Sequence, residues 1–253
     1  MKNWIRKSTL VLGVAAGMAL SLPVSASVLD FWAADGWTVL DAEDGVGAGG
    51  YVGPGWGGQA FDAEYLFYKL EGSILSVGLQ TGFDLSDGTQ VYEKKPYYAG
   101  DVAIAFNGHS YKYAIDFGLV TKDYHQYSDV GIGSGNQDPA GFYKVSEWNN
   151  DLALAVSSPF AMDEGSLVTS LTGASSGAEL MADGQSYYRT ASFDLASLGF
   201  SVADFSAHWT MSCGNDVVEG SATVPEPSAL LLMAGGLFGL IGGRKLKNRS
   251  KNA

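Results

Sequence analysis

The residues able to do chemistry in this 253-residue chain are mostly carboxylates. In Asp84-Leu85-Ser86-Asp87-Gly88-Thr89, the side chains of Asp84, Asp87 and Thr89 share one Gly-containing turn. Oxygen ligands on a tight turn are what a hard cation such as calcium takes. The loop lacks the full spacing and the terminal glutamate of an EF-hand. An Asp-Gly turn capped by its own side chains accounts for the same residues. Asn149-Asn150-Asp151 and Asn215-Asp216 are lesser versions of this arrangement.

For catalysis the search is emptier. Asp41, Glu43 and Asp44 lie close together, but not in the strand spacing that holds two carboxylates for glycoside hydrolysis. Gly131-Ile132-Gly133-Ser134-Gly135 misses the frame of a nucleophile elbow. His109, His125 and His208 show no metal-ligand spacing, and His208 falls on the solvent face of an alternating run. Cys213 is the only cysteine, so an exported chain would carry no internal disulfide. It reads as a small buried apolar residue. Gly50 to Gly58 carries Tyr51 and Trp56 among glycines. Exposed there, the two rings would suit a glycan; packed inward, they would be ordinary strand-pair aromatics.

The two ends hold a different chemistry, that of processing enzymes. Lys2, Arg6 and Lys7 precede an apolar core from Leu10 to Leu22, then Pro23 and Val24-Ser25-Ala26. Small residues in that position suit signal peptidase, with cleavage after Ala26. At the other end, Pro225-Glu226-Pro227 precedes 16 uncharged residues, Ser228 to Gly243. Arg244, Lys245, Lys247, Arg249 and Lys251 follow. Two prolines fix φ and remove N–H donors, so this motif is extended and non-helical, as a protease or transpeptidase requires. The apolar stretch covers about 24 Å as a helix, a little short of a bilayer core, and its basic flank would face the cytoplasm. A plain membrane anchor behind a proline-rich approach fits the same residues.

Pro225-Glu226-Pro227, the Gly-rich apolar stretch and the terminal Arg-Lys cluster resemble the PEP-CTERM sorting signal of Gram-negative bacteria. The resemblance covers about thirty residues. It implies recognition by a membrane-embedded exosortase-type transpeptidase, cleavage near Pro225, Glu226 and Pro227, and delivery to the cell surface or exopolysaccharide matrix. His208 to Asp216, with its Cys-Gly-Asn-Asp segment, and Tyr97 to Ala161 more distantly resemble exosortase-dependent surface proteins. That resemblance implies no activity.

The elements that must position these residues lie between the two ends. Residues 27–226 hold seven basic residues against all 27 acids, a net charge of −20. That argues against nucleic acid and other polyanions as partners. Apolar residues alternate with small or polar ones in Leu75–Leu79, Val102–Phe106, Tyr111–Phe117 and Phe205–Met211. Tyr65–Leu70, Leu152–Val156 and Tyr187–Asp194 are further strand candidates. Asn107-Gly108 between two such runs predicts a hairpin. Ala196 to Leu198 could form one helical turn. The expected architecture is all-β: an antiparallel β-sandwich or jelly-roll-like ectodomain over residues 27–220. A signal peptide over 1–26 precedes it. A stalk, sorting motif, transmembrane helix (228–243) and basic tail over 221–253 follow it.

The expected function is an exported, non-enzymatic surface or matrix protein that works by binding or structure. The expected partners are signal peptidase, an exosortase and exopolysaccharide, with calcium as the one candidate cofactor. A polysaccharide-acting enzyme on a sandwich scaffold and a permanently anchored envelope binding protein are the alternatives.

Overall fold

The computed structural model describes residues 28–43, 57–121, 137–149, 152, 154–182, 184–199 and 204–223. A five-residue helix, α1 (Asp30–Ala34), comes first, followed by β1 (Thr38–Ala42), β2 (Ala63–Glu71) and β3 (Ile74–Thr81). Then come β4 (Thr89–Tyr92), β5 (Lys95–Tyr98), β6 (Val102–Phe106) and β7 (Tyr113–Asp116). β8 (Gly141–Asn149), β9 (Ala161–Ser170) and β10 (Thr172–Leu180) lead to β11 (Gln185–Asp194), β12 (Asp204–Thr210) and β13 (Val217–Thr223). The chain is all-β, and every strand pairing is antiparallel.

One sheet has the order β1-β2-β3-β11-β10, a second β13-β12-β6-β7-β8-β9, and β4-β5 is a separate hairpin. The two large sheets share one core. Leu66, Leu75, Val77, Leu79 and Phe193 of the first meet Ile104, Ile115, Phe142, Phe205 and Trp209 of the second. Phe142 stacks on Phe193 with centroids 4.3 Å apart. Leu75, Val77, Leu79, Ile104, Ile115, Phe205 and Trp209 are apolar positions of the alternating runs, so period-2 patterning gave the inner faces of those strands; Phe142 lies on β8, a strand the pattern did not mark. The Asn107-Gly108 hairpin also forms. Both residues have positive φ, His109 N donates to Phe106 O at 3.2 Å, and β6 pairs with β7.

The other faces differ from the expectation of a wet side. His208 is only 2% exposed, and Ala103 and Ala105 of β6 are buried. Chain passing over the second sheet covers them: Leu152, Phe160 and Ala161 cluster with Tyr98 there. Of the expected strand Leu152–Val156, Leu152 joins this cover, whereas Ala155 and Val156 lie in a 3-10 turn, Ala155–Ser157, and Val156 is exposed. The outer face of the first sheet is covered by α1 and its neighbours. Trp32 stacks on Phe67 at 4.2 Å, in a cluster with Leu29, Phe31, Trp37 and Tyr188. Gly78 makes room, since a Cβ there would run into the Trp32 ring.

The sandwich is closed along one side. The edge strands β1 and β13 touch across it, Glu219 N donates to Asp41 Oδ2 at 2.8 Å, and Gly220 packs against the Leu40 carbonyl. On the other side the edges are β9 and β10, joined through Leu171 alone. Ser221–Thr223, expected to be stalk, are the last residues of β13, paired with Ser206, Phe205 and Asp204. Ser197 lies in the expected turn, where Leu198 N donates to Asp194 O at 3.3 Å.

Candidate functional site

Three carboxylates from three separate segments converge beside the closed side. Glu43 follows β1, Asp62 lies between the 3-10 turn Gln59–Phe61 and β2, and Asp216 leads into β13. One oxygen from each lies within 4.8 Å of the other two. Asp62 and Asp216 are buried and Glu43 is half-buried. Backbone amides fix Asp216: its Oδ2 accepts from Ala63 N at 2.8 Å and its Oδ1 from Val217 N at 3.0 Å. Thr210 Oγ1 donates to its carbonyl at 2.5 Å, and Thr81 Oγ1 donates to the carbonyl of Asp62.

Burial first, and the neighbouring Glu43 and Asp62 next, push the Asp216 carboxyl well above the usual carboxylate range. Three carboxylates this close cannot all stay ionised in a dry site. A proton kept on Asp216 relieves the repulsion and can bridge to Glu43. A divalent cation would relieve it too, and Glu43, Asp62 and Asp216 are the residues that could hold one. They would supply three of the roughly six to eight oxygens that calcium takes.

Next to Asp62, Glu64 sits at the centre of a second polar network. Its Oε1 accepts from Gln59 Nε2 and Ser186 Oγ, both at 2.7 Å, and its Oε2 from Gln80 Nε2 at 2.5 Å. Gln80 Oε1 in turn accepts from Trp32 Nε1 at 2.7 Å and Leu29 N at 3.2 Å. Burial raises the Glu64 carboxyl to about 8, against the pull of its hydrogen-bond donors. The network runs from β11 through β2 and β3 to the first described residues. Its role is structural: it fastens the N-terminal segment to the sheet.

The expected site residues divide between these described regions and the rest of the chain. Asp84 Oδ1 accepts from Ser86 N at 2.8 Å and Ser86 Oγ at 2.5 Å, and Asp87 Oδ1 accepts from Thr89 N at 2.8 Å. Both acids therefore cap their own turn. Among the described residues, neither belongs to a converging group of three metal-ligating side chains. Tyr51, Trp56, Ala26, Pro225, Glu226 and Pro227 lie outside the described residues, as does the expected helix 228–243. Among the described residues no helix is long and apolar enough to cross a membrane.

His109 is exposed beside its turn and, with Ser110 and Lys112, lines an open cavity of about 240 Å³. His208 is the opposite case. Its Nε2 lies 2.9 Å from Ser157 O, and its Nδ1 lies 3.7 Å from Glu219 Oε2, beyond hydrogen-bond length. Burial lowers its pKa, so the ring is neutral near pH 7 and Glu219 is a neighbour rather than an ion partner. Tyr111 O–H takes the other Glu219 oxygen at 2.6 Å. Cys213 Sγ donates to Asn215 Oδ1 at 2.6 Å, and burial pushes the thiol up to about 12. As a thiol it is inert.

Sequence reasoning picked out Asp216 and Glu43 singly and missed Asp62. No spacing joins them, because the closure of the sandwich is what brings them together.

Beyond the folded domain, residues 223–247 match the family model of the PEP-CTERM protein-sorting motif. The chain carries a PEP-CTERM sorting signal. That motif implies an exosortase-targeted protein, secreted and briefly anchored in the membrane through its C-terminal end. No curated protein and no solved structure matches the chain. The PEP-CTERM match begins at Thr223, the last residue of β13, so the folded domain and the sorting signal abut.

Proposed function

We propose that this protein works outside the cell, in the exopolysaccharide matrix or biofilm, by binding or structure and not by catalysis. The observation that carries this reading is the match of residues 223–247 to the sorting motif, directly behind an all-β domain. A charge of −20 over residues 27–226 supports solubility among polymers and argues against nucleic acid. The clustered carboxylates support the non-enzymatic reading, since Asp62 and Asp216 are buried in the closed side rather than set in an open groove. On this reading signal peptidase cuts after Ala26 and the exosortase near Pro225–Pro227. Tyr51 and Trp56 contact the glycan, as aromatic rings on a Gly-rich stretch would.

Intact mass of the protein taken from its native surface tests the processing. A species from Ser27 to the Pro225–Pro227 region is expected. A mass that retains Gly243 and the basic tail overturns it in favour of a standing anchor. Glycan contact is tested by Trp56→Ala, which should weaken retention on the cell's own exopolysaccharide. Unchanged retention would remove Trp56 from the reading.

A further inference from the structure

The folded domain and the sorting signal share a residue. Thr223 ends β13 and begins the match to the PEP-CTERM motif. Val224 alone separates it from Pro225 in the sequence. At no more than about 3.6 Å per residue, Pro225 lies within about 7 Å of Thr223 and Pro227 within about 14 Å, whatever path the chain takes. A single helix of a membrane enzyme is already about 10–12 Å across. Reacting atoms must come within about 3–3.5 Å of one another. Enclosing a peptide bond this close to a folded sheet would drive the walls of a catalytic cleft into the sheet.

β13 is not held evenly along its length. Up to Gly220 it is clamped. Val218 is buried in the core, Glu219 N donates to Asp41 Oδ2 at 2.8 Å, Tyr111 O–H donates to Glu219 Oε1 at 2.6 Å, and Gly220 packs against the Leu40 carbonyl. Beyond Gly220 the hold is lighter. Ser221 and Thr223 are exposed, and the half-buried Ala222 brings one methyl group to the core. These three pair with Ser206, Phe205 and Asp204 of β12. Asp204 does not depend on Thr223 for its place, since its carbonyl accepts from Asn107 N at 3.0 Å and its Oδ1 from Gly108 N at 2.9 Å. Phe205 and Ser206 pair on their other side with Phe106 and Ala105 of β6. β12 therefore keeps its place when the end of β13 leaves it.

We propose that Ser221–Thr223 is a release segment, which comes off β12 before the sorting enzyme cuts, while the clamp at Glu219 and Gly220 stops the opening there. The inference rests on the reading that the exosortase cuts near Pro225–Pro227. Three freed residues add about 10 Å of reach. They also offer extended backbone with open N–H and C=O groups, the form in which a peptide adds to another protein's strand. A strand end with little buried surface opens at far smaller cost than the whole domain. Processing is then gated by three residue pairs of the fold as well as by the motif.

The test locks the segment in place. Ser206 and Ser221 lie directly across from each other. Such pairs have Cα atoms about 4.5–5.5 Å apart, inside the range a disulfide spans. The double variant Ser206→Cys with Ser221→Cys is expressed in the native cell, and conversion of precursor to mature protein is followed by pulse–chase and intact mass. The buried Cys213 thiol, pushed up to about 12, does not compete for the bridge. The locked protein should be converted at least about tenfold more slowly than either single variant, because its opening is blocked. Inserting about six Gly and Ser residues between Thr223 and Val224 adds roughly 20 Å and should restore the wild-type rate to the locked protein, which a misfolded domain would not allow. A locked protein converted at the wild-type rate overturns the proposal and leaves the processing reading standing. So does a locked protein that the spacer fails to rescue. A wild type that keeps Gly243 and the basic tail overturns the processing reading, and the proposal with it.

Discussion

The two sides of the sandwich solve the same problem in opposite ways. On the closed side β1 and β13 lean together, a carboxylate accepts an edge amide, and a glycine lets the backbones touch. The helix α1 and its aromatic anchor feed directly into this side through Trp37. On the open side β10, with Glu179 as its one charge, pairs regularly with β11 from Ser175 to Leu180 and leaves its other edge unpaired among the described residues. The closed side spends its interactions on stability, and a change there should be felt by the whole domain. The open side contributes little to stability, and a change there should be felt by whatever meets it. The difference teaches that an edge left bare in an otherwise guarded fold is a surface to test for contacts.

The largest expected effect is at the anchor. Trp32→Ala removes a buried indole and its bond to Gln80, and should cost about 3–5 kcal/mol. At roughly 2–4 °C per kcal/mol, thermal denaturation should then fall by at least about 6 °C.

The next effect is the pH dependence. The Glu64 carboxyl is near 8 in the folded protein against 4.5 for the free side chain. A raised folded value means that the folded state holds the proton more tightly. Its contribution is fully present below about pH 4.5 and is lost as pH rises through about 8, on the order of a few kcal/mol. Melting temperature should therefore fall from pH 5 to pH 9, and Glu64→Gln should flatten that slope. A slope of the opposite sign, or one that Glu64→Gln leaves unchanged, would remove Glu64 as its source.

Gly220→Val comes third. Its side chain would meet the Leu40 backbone, and strain of this kind costs about 1–3 kcal/mol, read by urea denaturation. The smallest effect is on the open side, where Ser176→Lys should stay within about 0.5 kcal/mol of wild type in the same measurement. If it costs as much as Gly220→Val, the contrast between the two sides fails.

What could be read from the sequence follows from burial. β3, β6, β7 and β12 alternate because one face of each meets the shared core, and β2 and β11 are apolar enough to be found. β10 and β13 are edges with few core contacts, so their small and polar residues carry no alternation. The turn of the β4–β5 hairpin is Glu93-Lys94, both at positive φ, where pattern reasoning looks for Asn-Gly. The alternating polar faces suggested water, but short irregular segments cover them, and their own sequences do not say where they dock. Leu152–Val156 shows the ambiguity: a short apolar run suits a strand or a cap, and here Leu152 caps while Val156 is left exposed in a 3-10 turn. α1 is too short to show a helical period. Of the candidate site, Glu43 was noticed with Asp41 and Asp44 as a carboxylate group of the wrong spacing, and Asp216 with Asn215 as a lesser calcium candidate. Asp62 gained its meaning only from two segments distant in sequence.

The abutment of β13 and the sorting signal has a mechanical consequence. Any load carried by the tail enters the fold at Thr223, the end of an edge strand. The pairing nearest that load is Asp204 with Thr223, the first of the seven that hold β13 to β12. A pull on the attachment point therefore acts on the closed side and, through Val218 of β13, on the shared core as well.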